Sequence, residues 1–170
     1  EHTRNCLYEV LINKSWSSKT YSNIMEALCD RGILSDNKTA LSEIAYYNFI
    51  QRQMDYSKDS KERPNIDDYK IAWKCFLHLV EILQPTDCIF VGVESVTLFE
   101  EIMDKYGVQY TGIDVLEKLN DAYPKKTSIR LDSKNNINII FIKHSSCYFS
   151  PGKWHDFLKQ QIPEAIEWLN

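Results

Sequence analysis

Apolar residues along this 170-residue chain fall into two kinds of run, one spaced at three or four positions and one unbroken. Ile66, Tyr69, Trp73, Phe76, Leu77, Val80 and Leu83 belong to the first kind and predict an amphipathic helix. Asp67 and Asp68 suit its first turn, where carboxylates meet the positive end of the helix dipole, and Pro85 stops the pattern. Leu7 to Ile12 and Tyr21 to Leu28 carry similar spacing, with Ser22 a candidate cap and Gly32 a stop. Val96, Phe99 and Met103 predict a helix from about Ser95 to Lys105, ended by Gly107, and Trp154 to Trp168 reads as one or two helices interrupted near Pro163.

The unbroken runs predict strands: Cys88 to Val93, Tyr110 to Val115 and Ile137 to Ile142. Ile44 to Ile50 is rich in strand formers and short for a helix, and Asp55 to Pro64 is polar, charged and unperiodic, hence a loop. Strands that are apolar throughout, alternating with amphipathic helices, imply a mostly parallel sheet covered on both faces. The expected fold class is therefore α/β, a three-layer α/β/α domain with a short, mostly parallel central sheet. The length fits a single domain over residues 1–170, and no internal repeat or low-complexity segment appears.

Composition narrows the function classes. A hydrophobic content of 44% with 26% charged residues excludes wholesale disorder. A net charge of -4 argues against a protein that coats nucleic acid non-specifically, while leaving room for a local basic cleft. Cys6, Cys29, Cys75, Cys88 and Cys147 are odd in number and contain no Cys-x-x-Cys pair, so buried free thiols in a reducing compartment are expected rather than a disulfide framework or a zinc site. No run reaches the roughly 18 apolar residues of a membrane span and no basic-then-apolar leader opens the chain, so the expected location is cytoplasmic. Abundant Lys, Asn, Ile and Tyr fit an AT-rich bacterial or phage coding source.

Candidate chemistry gathers where the last apolar run meets Lys143-His144-Ser145-Ser146 and then Cys147-Tyr148-Phe149-Ser150-Pro151. A strand ending in His and small hydroxyl residues delivers an imidazole and several donors to one sheet edge, where open α/β sheets bind ligands. His144 can serve as a general acid, an oxyanion donor or a metal ligand, or as a structural residue. Asn48, inside an apolar aromatic run, is costly to bury unless its amide is paired, either with backbone or with a ligand. Tyr148 and Phe149 can stack on or wedge between bases, or pack against Trp154. Gly92-Val93-Glu94-Ser95 has the form of a phosphate-holding turn, but its one glycine fits a structural role equally.

Together these segments resemble the uracil-DNA glycosylase superfamily. Ile44-Ala45-Tyr46-Tyr47-Asn48 is similar to that family's strand ending in a uracil-reading Asn, and Ile140-Phe141-Ile142-Lys143-His144-Ser145-Ser146 to its strand ending in His-Pro-Ser before a DNA-inserting loop. Tyr21-Ser22-Asn23-Ile24 is similar to the segment after the aromatic that stacks on the flipped base, and the likeness runs from about Tyr21 to Phe157. The resemblance implies that Asn48 accepts from uracil N3 and donates to O4, and that His144 donates to O2 as charge builds on the leaving base. It also implies that Tyr21 or Tyr47 forms the stacking floor, that Ser145 and Ser146 belong to the DNA-binding loop with Ser146 anchoring a phosphate, and that Tyr148 with Phe149 supplies the wedge. No cofactor and no metal are implied.

The chain departs from that family's pattern at two places. Ser145 stands where the family carries Pro, and the water-positioning first motif is not found upstream of Tyr21, so either an N-terminal segment preceding Glu1 carries it, the preferred expectation, or the protein lacks it and does not activate water in that family's way. Two functions follow as expectations: hydrolysis of the N-glycosidic bond of uracil or a related modified base in DNA, or non-catalytic binding of a nucleotide, a base or a protein partner in the same pocket.

Overall fold

The computed structural model describes residues 5–6, 8–14, 18–29, 43–57, 60–131 and 135–170. These divide into two compact units, one formed by Glu1–Tyr47, Glu117–Pro124 and Ile142–Asn170, the other by Asn48–Leu116 and Lys125–Phe141. In chain order the elements are a π-helical turn Glu9–Asn13, α1 Lys19–Leu28, β1 Tyr56–Ser57, β2 Ser60–Lys61, α2 Ile66–Leu83, β3 Asp87–Val91, a 3-10 turn Val93–Val96, α3 Phe99–Tyr106, β4 Gln109–Tyr110, β5 Asp114–Val115, β6 Lys125–Arg130, β7 Asn136–Ile142, α4 Pro151–Gln161 and α5 Pro163–Leu169. The molecule is mixed α/β, and no helix among the described residues is long and apolar enough to cross a membrane.

The second unit is built on an open five-stranded sheet in the order β3-β7-β6-β4, with β5 also pairing β6. β4–β6, β5–β6 and β6–β7 are all antiparallel, which corrects the expected mostly parallel sheet at these pairs. The reason lies in β7, whose residues Ile137, Ile139, Ile140, Phe141 and Ile142 are all buried. A strand buried on both faces is apolar whichever way its neighbours run, so the run itself does not encode direction. β6 was not foreseen at all: its Lys-Lys-Thr-Ser-Ile-Arg sequence buries only Thr127 and Ile129, on alternate positions.

Expected Tyr110–Val115 is two short strands instead, because Thr111 leaves the regular ladder. Its hydroxyl accepts the Ser128 N–H at 2.9 Å, while its own N–H donates to the Ser128 carbonyl at 2.9 Å. The expected Ser95–Lys105 helix is likewise split, by Leu98 in a left-handed conformation (φ 63°). The break exposes the Thr97 carbonyl to the Trp73 indole, which donates to it at 2.8 Å.

Trp73 is the centre of this unit's core. The rings of Phe49, Phe76, Phe90 and Phe99 lie 5.0–5.3 Å from it, and Phe141 brings β7 to 6.3 Å. Helix α2 supplies Trp73, Phe76, Leu77 and Val80 to that core, as its spacing predicts. Its start is fixed by Asn65, whose side chain accepts from the N–H groups of Asp67 and Asp68 while Asp68 accepts from the Asn65 N–H, a reciprocal capping box. Arg52 then grips the Asp68 carboxylate through both Nε and Nη2 and reaches Glu62 at 2.7 Å. This ties the segment before the β1–β2 pair to the helix end, and the pair itself, with Glu62, lies inside the Asp55–Pro64 stretch expected to be a loop.

In the first unit, α1 packs on α4, and Ile24, Met25, Ala27 and Leu28 of the one and Trp154 and Leu158 of the other are all buried. The carbonyls at the end of α1 are satisfied from the C-terminal helices: His155 meets the Ala27 carbonyl at 3.2 Å and Asn170 donates to the Leu28 carbonyl at 3.1 Å. Ser22 lies inside α1, which begins at Lys19 after Ser18, so the expected cap is displaced by a turn. Leu7 and the Gly32 stop lie outside the described residues.

Candidate functional site

The strand-to-loop junction after β7 holds the centre of the site. β7 ends at Ile142, and residues 143–150 turn back before α4. Ser145, at the base of this loop, is completely buried. Its hydroxyl donates to the Thr20 carbonyl at 2.8 Å and its carbonyl accepts from Asn23 Nδ2 at 2.6 Å. Both bonds fasten the loop to the first turns of α1. This corrects the expectation that Ser145 contacts DNA: a serine without exposed surface, using its hydroxyl internally, positions the loop instead.

His144, one residue earlier, reaches the surface. The Ser146 N–H donates to His144 Nδ1 at 3.3 Å and the Ser146 hydroxyl lies 2.9 Å from the same nitrogen. A nitrogen that accepts a backbone N–H presents a lone pair, so the proton of the neutral ring sits on Nε2. Burial around the ring lowers its pKa below the ordinary histidine value. The result is a neutral imidazole holding an N–H donor on the nitrogen that Ser146 leaves open. Ser146, expected to anchor a phosphate, spends its N–H and hydroxyl on orienting that ring.

Beyond it, Tyr148 is 90% exposed with φ 49°, a left-handed backbone that non-glycine residues seldom adopt. The Lys143 ammonium lies 5.7 Å from its ring centroid and donates to the Asn120 carbonyl at 3.0 Å. Asn120 and Asp121 both have positive φ, 47° and 61°, and form a tight turn closed by the reciprocal backbone bonds of Leu119 and Ala122. Phe149 turns inward and stacks on Trp154, with 5.5 Å between centroids and 12° between planes, so its ring is committed to packing on α4.

The remaining expected residues occupy other segments. Tyr21 lies on α1 with Tyr46 edge-on at 6.0 Å, and burial raises both phenols, Tyr46 to about 12, so both remain hydrogen-bond donors at neutral pH. Tyr47 is half-buried. Asn48 is exposed, on backbone without regular structure, where the sequence predicts a buried strand end. That correction has a physical cause: Phe49, next in line, turns into the aromatic core around Trp73, which uses the apolar character of the run without forming a strand. Asn48 belongs to the second unit and His144 to the first. Thr20 and Asn120 were not singled out beforehand, and Lys143 and Asn23 were named only as members of quoted segments, without a role of their own.

Cys147, on the same loop, is exposed, against the expectation of buried thiols, while Cys29 is buried and Cys88, half-buried, has its thiol pushed up to about 12 by burial. No family model, curated protein or solved structure matches this chain.

Proposed function

We propose that this protein recognises uracil or a related modified base swung out of DNA and hydrolyses its N-glycosidic bond. The observation that supports this best is the His144–Ser146 pairing, which leaves a neutral imidazole with its proton on Nε2. In such a reaction the C1′–N1 bond breaks, the electron pair leaves with the base and spreads onto the O2 carbonyl, water oxygen bonds to C1′, and the proton that water gives up passes through solvent to the base anion. A fixed N–H donor at O2 stabilises that charge without transferring its proton. Tyr21 or Tyr47, in the same unit as His144, stacks on the ring in this proposal.

The test is release of free base from a uracil-containing oligonucleotide. Loss of one such donor costs about 100- to 1,000-fold in rate, so His144→Ala reduces release by that factor. Equal release by wild type and His144→Ala removes the proposal.

A second reading, binding without turnover, is favoured by the exposed, irregular backbone at Asn48 and the net charge of -4. Discrimination between bases needs a preorganised amide. Saturable nucleotide binding with no base released selects this reading over hydrolysis.

A further inference from the structure

We infer that Lys143 and Tyr148 form a one-base stacking platform and that the strand this site accepts is single rather than double; the inference rests on the reading that the loop faces nucleic acid. Exposed tyrosines usually wander, but this one is held. Lys143 lies 5.7 Å from the ring centroid, within cation–π reach, and is itself bonded to the carbonyl of Asn120, whose turn has two successive left-handed residues and is closed by the paired backbone bonds of Leu119 and Ala122. The loop base is locked by Ser145 to α1. One face of the Tyr148 ring therefore meets the ammonium, and with 90% of the residue exposed the ring offers its other face outward.

A single aromatic face, held from behind by a cation, matches what an unpaired base requires, a flat partner to stack on. A duplex asks for something else. Its affinity comes from neutralising many phosphates along two backbones, whereas residues 143–150 carry one cation in a chain of net charge -4. In a duplex, moreover, each base face is already stacked on its neighbours, and opening one costs unstacking energy that this loop has few contacts to offset. The outward ring therefore selects bases whose faces are free. Lys143 acts here as a positioning residue for Tyr148.

The experiment uses the full chain with a short single strand carrying 2-aminopurine as fluorescent probe, and the same strand annealed to its complement. Stacking on Tyr148 quenches the probe in the single strand, and single-strand affinity exceeds duplex affinity by about tenfold or more. Tyr148→Ala abolishes the quench and weakens binding about tenfold, whereas Tyr148→Phe preserves both. Lys143→Gln weakens binding with little change in the slope of affinity against salt if it positions the ring. A slope reduced by about 0.7 makes it a phosphate contact instead and overturns that role. Duplex binding equal to or tighter than single-strand binding overturns the platform, as does quenching that survives Tyr148→Ala. Each failure is separable from that of the glycosylase reading: binding with quench but no base release leaves the platform and removes the hydrolase, while base release favouring duplex does the reverse.

Discussion

The N–H of Ser146 donates to Nδ1 of His144 at 3.3 Å, so the residue two positions on decides which imidazole nitrogen carries the proton. This makes the loop after β7 a device for holding a neutral N–H donor, and it fixes how the ring titrates. Burial disfavours the imidazolium, so the folded pKa lies below the ordinary 6.5. The unfolded chain then binds more protons as pH falls through that window, and this residue's contribution to stability, present above 6.5, is lost as pH drops towards the folded value. An NMR titration of the His144 ring is expected to give a midpoint below 6.5, with a protonated Nε2 in the neutral form. A midpoint above 6.5 rejects the arrangement.

Ser145 gives a prediction about the loop's attachment. Ser145→Ala deletes the bond to the Thr20 carbonyl and costs about 1 kcal/mol, the net value of one hydrogen bond. Asn23→Ala costs more, about 1–3 kcal/mol, because it strips the partner from a carbonyl of a completely buried residue. Urea unfolding of both single variants and the double variant checks the order and the coupling expected of neighbouring bonds in one attachment. A neutral Asn23→Ala contradicts it.

Much of this architecture could be read from the chain, and what could not be read fails for identifiable reasons. Helix α2 was legible from Trp73, Phe76 and Val80 because a one-sided apolar stripe has only one regular solution. β7 was legible as a strand and not as an antiparallel one, since Ile137 to Ile142 would look the same in either direction. β6 was hidden because Lys125, Lys126 and Arg130 mask an alternation that buries only Thr127 and Ile129. At the site, His144 stood out by type and position, but the burial of Ser145 and the contact of Lys143 with the Asn120 carbonyl depend on segments more than 20 residues distant, Thr20 and Asn120. Local pattern carries no record of them.

Asp68 yields a pH dependence of the same sense as that of His144, in a more acidic window. The paired Arg52 guanidinium, then the Asn65 N–H, hold its carboxyl below the ordinary 3.8. A depressed acid stabilises the fold above its unfolded value and loses that contribution as pH falls through the folded one. Asp68→Asn is therefore expected to be less stable than wild type at neutral pH, with the gap closing as pH falls below 3.8. Denaturant midpoints for both proteins along a pH series measure this. A gap that stays constant down to the lowest pH places the effect in side-chain shape and not in charge.

Trp73 provides the sharpest test of the second unit's core. Its ring is fully buried among Phe49, Phe76, Phe90 and Phe99, and its indole N–H is used on the Thr97 carbonyl at 2.8 Å. Trp73→Ala removes the whole ring and is expected to cost about 3–5 kcal/mol. Trp73→Phe keeps most of the packing but drops the indole donor, leaving the Thr97 carbonyl without this partner beside the left-handed Leu98, so about 1–3 kcal/mol is expected. Because edge-on aromatic pairs each contribute about 0.5–1.5 kcal/mol beyond buried area, the two variants separate packing from hydrogen bonding. If Trp73→Ala costs no more than Trp73→Phe, the ring cluster is not what holds α2 against β3 and β7, and the core is organised around another residue.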